Sequence, residues 1–88
     1  MSEPTLLEQV RAAQPKHTRD WQEQIEDGSV WRMEGAMGRA AMETLKSGEC
    51  FLPEKSFRDY WGNKVPSRNE VKPGTTGSLE NCRRFYNL

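Results

Sequence analysis

Little in this chain of 88 residues could supply catalytic or metal chemistry. It has one histidine, His17, and two cysteines, Cys50 and Cys82. A zinc site needs four ligands at close, characteristic spacing, and these three residues do not provide it. A general base needs a neighbour that orients it; His17 follows Pro15-Lys16 in an expected linker and has none, which leaves it a surface role. A Cys–His pair finds no support in the local sequence. No Walker or dinucleotide-binding pattern occurs. The carboxylates Glu23, Glu26 and Asp27, and Glu34 with Glu43, have the spacing of ordinary helix-face charges. The expectation is a non-enzymatic protein without a cofactor.

Long apolar runs are missing as well. Nothing approaches the ~20 residues of a membrane span, and Met1-Ser2-Glu3-Pro4 lacks the basic start of a secretory signal. The reading is a cytoplasmic protein that makes no membrane contact, in which the cysteines are free thiols. Net charge is absent too: 13 bases balance 13 acids, which disfavours nucleic acid as a partner. The charges are nevertheless unevenly placed. Residues 1–28 hold six acids and three bases, and residues 54–88 hold seven bases and four acids. Opposite ends of this kind attract one another within a chain or between copies, or are simply solvated surface.

Only 34% of the chain is hydrophobic. At this length a single small domain is expected, with a core too modest for high stability. Self-association is the expected remedy, because a shared interface enlarges the core.

What is present divides into a helical half, 1–48, an irregular region, 49–77, and a terminal helix, 78–88. Ser2 to Gln14 reads as a helix with Pro4 in its first turn and Leu6, Leu7, Val10 and Ala13 on one side, stopped by Pro15. Thr18 to Asp27 reads as a second, with Thr18 as its cap and Trp21 and Ile25 four apart. Val30 to Ser47 carries the clearest amphipathic stripe, Val30, Met33, Met37, Ala41 and Leu45, and Gly48 ends it. Gly35, Gly38 and Ala41, with the alanines beside them, make a small-residue surface. It permits either a tight intramolecular contact or a seam for self-association.

From Cys50 the helical period disappears, and proline and glycine punctuate the chain every few residues. Trp61-Gly62-Asn63-Lys64 and Lys72-Pro73-Gly74-Thr75 read as turns. Extended pieces at Lys64–Val65 and Glu70–Lys72 allow one short hairpin. Phe51, Phe57, Tyr60 and Trp61 argue for order, since disordered segments are poor in aromatics, and ordered irregular loops tend to carry function. The last helix, Ser78 to Tyr86, has Ser78 as its cap and Leu79, Cys82, Phe85 and Tyr86 as its apolar side. The fold class is therefore mainly α: three to four helices with a long ordered loop.

Two clusters in the loop are candidate binding residues. Phe57, Tyr60 and Trp61, with Arg58 between, have the composition of an interface hot spot or a stacking platform, or of a plug holding the loop on the helices. Lys72 to Ser78 has glycines, hydroxyls from Thr75, Thr76 and Ser78, and a helix start. With Lys64 and Arg68 near in sequence, that is the composition of an anion cradle, or of a plain turn before a helix cap.

The stretch Phe57 to Arg68, the run Val71 to Ser78 and the preceding Met33-Glu34-Gly35-Ala36-Met37-Gly38-Arg39 resemble segments of small uncharacterised proteins of tailed bacteriophages and prophages. The likeness spans about half the chain and carries no established activity. It implies an accessory factor that binds and inhibits or modulates a host or defence protein, or that sequesters a signalling molecule. Tyr60, Trp61, Lys64, Arg68 and Lys72 are the expected protein-binding residues. The alternative is capture of an anionic small molecule such as a nucleotide, by Lys64, Arg68, Lys72, Thr75, Thr76 and Ser78.

Overall fold

The computed structural model describes residues 4–32, 36–59 and 61–88, with the side chains of Ala36 and Met37 outside that description. Helix α1 spans Leu6–Ala13. Its cap is Thr5, whose Oγ1 accepts from the Glu8 N–H at 3.2 Å, so Pro4 precedes the helix rather than sitting in its first turn. Helix α2 spans Lys16–Glu26 with Pro15 at its N-cap. The proline φ of −64° is already the helical value, so the helix begins ahead of Thr18. Thr18 is thus buried inside α2 and does not cap it, and the exposed His17 lies on this helix rather than in a linker.

Asp27 closes α2 by accepting the Ser29 N–H at 2.8 Å. A short 3-10 turn, Ser29–Arg32, then buries Val30 and Trp31. Helix α3 covers Ala36–Ser47. Of the helix expected over 30–47, residues 30–32 belong to this 3-10 turn, a form common beside helix N-termini, and 36–47 to α3. Met33, Glu34 and Gly35 lie outside the described residues. Of the expected stripe, Val30, Ala41 and Leu45 are buried.

The irregular chain after α3 is tied down residue by residue. Cys50, Phe51, Leu52 and Pro53 are buried in succession. The Leu52 N–H donates to the Gly77 carbonyl at 2.9 Å, and the Arg68 N–H to the Pro53 carbonyl at 2.9 Å. Strands β1, Phe57–Arg58, and β2, Lys64–Val65, pair antiparallel with Phe57 opposite Val65. The extended piece expected at Glu70–Lys72 is instead a turn, in which the Glu70 N–H donates to the Ser67 carbonyl at 3.0 Å; β2 takes its partner from the other side. Helix α4, Leu79–Phe85, is capped by Ser78 as the sequence suggests.

Two adjoining clusters make the core. The larger joins Ile25, Val30, Trp31, Ala41, Leu45, Cys50, Leu52 and Val65. The smaller joins Val10, Phe51 and Cys82, flanked by Leu6, Leu7, Leu79 and Tyr86, and holds α1 against α4. The architecture is mainly α with one short hairpin. No helix among the described residues is long and apolar enough to cross a membrane.

Candidate functional site

The hairpin is built to project its tip. Asp59 Oδ1 accepts the N–H groups of Trp61 at 3.0 Å and Asn63 at 2.8 Å. The Asp59 N–H donates to the Asn63 carbonyl at 2.9 Å, and Gly62 takes a φ of +82° that favours glycine. This turn leaves Trp61 62% exposed. Phe57, at the base, is half-buried against the larger core cluster. The aromatic group thus divides: Phe57 plugs the loop onto the helices, Trp61 faces outward, and Tyr60 lies outside the described residues.

Between this tip and α3 lies a groove of about 510 Å³, within the size range of ligand-binding hollows. The buried Val30, Trp31 and Val65 form its floor. Gly38 and Met42 of α3 face Trp61 and Pro66 of the hairpin across it. Met42 is 40% exposed, and a Cβ on Gly38 would meet nothing within 4 Å. The hollow next to Gly38 is open space.

Charged residues rim these apolar walls, and most are already engaged. Lys64 pairs with Glu70 at 2.8 Å and holds the Glu70 carboxyl below its usual range. Lys46 approaches Glu43 at 3.8 Å. Asp59 accepts its two backbone donors. Arg39, exposed on α3, makes no ion pair among the described residues. The indole Nε1–H of Trp31 is buried and has no acceptor there either.

The sequence-derived site is therefore only partly assembled. Trp61 and Lys64 meet in the groove; the other described candidates lie elsewhere. The Arg68 side chain is 12% exposed and structural. Its guanidinium lies 5.6 Å from the Phe51 ring centre, that of Arg11 lies 5.3 Å from it, and both approach Glu26, Arg68 at 3.9 Å and Arg11 at 2.7 Å.

In the run 72–78 the N–H groups of Gly74, Thr75, Gly77 and Ser78 are engaged within the fold and do not converge as the expected cradle. The Gly74 N–H donates to Ser78 Oγ at 2.9 Å. Those of Thr75, Gly77 and Ser78 donate to the carbonyls of Lys72, Leu45 and Thr75. The Thr75 hydroxyl also bonds the Lys72 carbonyl. Ser78 is buried as a cap, while Lys72 and Thr76 are simply exposed. The small-residue surface is corrected in the same way. Ala41 is fully buried in the core of its own chain and cannot form a seam, Gly38 lines the groove, and Gly35 lies outside the described residues.

Both cysteines are free and buried. Burial pushes the Cys50 thiol up to about 11 and the Cys82 thiol to about 12. Neither is a ready nucleophile. No metal-ligating cluster occurs among the described residues.

Trp31, Arg39 and Met42 were missed as site residues by the sequence reading. Met42 carried the only signal, an apolar residue adjacent to the buried stripe. Trp31 and Arg39 had none, since their role depends on where the hairpin lands. No family model, curated protein or solved structure matches the chain.

Proposed function

We propose that this chain is a non-enzymatic interaction protein of the phage accessory type that its loop segments resemble. It acts in the bacterial cytoplasm by seating an apolar segment of a host or defence protein in the groove between α3 and the hairpin. Occupying that surface inhibits or modulates the partner. The observation that carries the reading is the groove itself, an apolar hollow with Trp61 and Met42 exposed at its edges. Large aromatics and methionine are enriched at protein interfaces, and exposed ones beside a hollow are typical anchors. The two free thiols accord with a reducing compartment.

The test compares affinity purifications from bacterial lysate by quantitative mass spectrometry. The bait is the full chain, or its Trp61→Ala, Met42→Glu or Phe85→Ala variant. Phe85 is exposed on α4 and outside the groove, so it serves as the surface control. A partner held by the parent chain and by Phe85→Ala, and lost at least about tenfold with either groove variant, is the expected result. Equal recovery on all four baits refutes the groove as the working surface.

A further inference from the structure

We propose that the segment seated in the groove is acidic as well as apolar: a short amphipathic stretch with an aspartate or glutamate among bulky aliphatic or aromatic side chains. This rests on the docking reading above. The first observation is at the floor. Trp31 is 4% exposed, lines the groove, and has a buried indole N–H without an acceptor among the described residues. Buried donors are almost always bonded, so an unbonded one lining a hollow calls for an acceptor from the occupant.

The second observation is at the rim. Arg39 is a cation without a counter-charge among the described residues, whereas Lys46 and Lys64 have Glu43 and Glu70. The anions of the same rim are engaged, Glu43 by Lys46 and Asp59 by two backbone N–H groups. What stays unanswered in the groove is therefore local: an acceptor for the Trp31 N–H and a counter-charge for Arg39. A carboxylate answers the planar guanidinium of Arg39 in a paired, charge-assisted geometry.

The third observation concerns the rest of the occupant. The lining between these groups is apolar, which does not suit inorganic phosphate. Trp61 and Met42 stand exposed beside the hollow and extend the apolar surface past it. A peptide with several apolar side chains covers that area; one alkyl chain does not.

The experiment selects random displayed 12-residue peptides on the immobilised full chain. It then measures binding of the tightest peptide by titration against the ¹⁵N-labelled protein. Enriched peptides should combine Leu, Ile, Phe or Trp with Asp or Glu. Exchanging their acids for amides should weaken binding about tenfold or more. Arg39→Gln should weaken the acidic peptide about fivefold while leaving the amide peptide unchanged. The Trp31 indole N–H resonance should move with the acidic peptide more than with its amide counterpart.

Basic or uncharged winners, or no response to the amide exchange, overturn the acidic inference. The docking reading survives that result if Trp61→Ala still abolishes binding. A selection with no binder sensitive to Trp61→Ala overturns both. Decanoate moving the Trp31 resonance where no peptide does would assign the groove to a free fatty carboxylate and overturn the peptide. A concentration-dependent doubling of mass, abolished by Met42→Glu, would assign it to a second copy and overturn it equally.

Discussion

Gln22 carries more of this fold than its polar side chain suggests. It is buried, and its amide spans the backbone of Phe51, accepting the Phe51 N–H at 2.9 Å and donating to the Phe51 carbonyl at 2.9 Å. Its oxygen also accepts from Gln14 Nε2 at 3.1 Å, and Gln14 donates in turn to the Glu49 carbonyl at 3.0 Å. Two glutamines thus do for the irregular chain at 49–51 what a neighbouring strand does in a sheet. Gln22→Ala would strand both backbone groups of Phe51 without partners. The expected loss is about 3 kcal/mol in urea unfolding followed by tryptophan fluorescence. A loss below about 1 kcal/mol would mean that water replaces the amide.

At the scale of elements, the ends of α3 and of the hairpin depend on glycines in unlike ways. Gly48 has a φ of +101°, and a Cβ there would stand 2.7 Å from the Asn81 carbonyl oxygen. Close approach is required, because Asn81 Nδ2 donates to the Leu45 carbonyl at 3.1 Å and the Lys46 carbonyl at 3.3 Å, answering the open end of α3. Gly62 has a similar φ of +82° but open space around it. Gly62→Ala should therefore lose only the backbone preference, about 1 kcal/mol. Gly48→Ala adds a collision with α4 and should lose more than about 2 kcal/mol. Comparing the two by chemical denaturation separates backbone conformation from packing; equal losses would deny the α3–α4 contact.

At the scale of the whole molecule, the cysteines link stability to pH. Burial raises both thiols, to about 11 and about 12 from an ordinary 9.0. A raised folded value means that the native state keeps protons which the unfolded chain releases. The contribution is full below the unfolded value and declines as pH rises through the range between 9.0 and the folded values. The urea midpoint should hold near neutrality and fall across that alkaline range. In a Cys50→Ala, Cys82→Ala double variant the alkaline slope should be shallower. An unchanged slope would place its cause elsewhere. The same burial predicts that a thiol reagent labels the native chain slowly and both thiols together on unfolding.

The sequence by itself determined the helical segments near α1, α2 and α4, the stops at Pro15 and Gly48, the cap at Ser78 and the turn at Trp61-Gly62-Asn63. These rest on local physics: proline's missing donor, the left-handed preference of glycine, and apolar residues three and four apart. Of the residues the sequence singled out for binding, Trp61 and Lys64 line the groove. Only the tertiary structure decided the rest, because it depends on which distant groups meet. Arg68 and Lys64 are both basic and four residues apart. One is drawn under Phe51 and toward Glu26, and the other is left at a groove rim. The glycine- and hydroxyl-rich run at 72–78 had the composition of an anion cradle, but Leu45 of α3 and the run's own carbonyls and Ser78 hydroxyl took four of its N–H groups. Ala41 lay in a small-residue stripe that suited a contact within the chain or a second copy, and the core of its own chain covered it. Trp31 and Arg39 became site residues when the hairpin packed beside α3. Periodicity reports which face of a helix is apolar, and the long-range contacts decide what covers it.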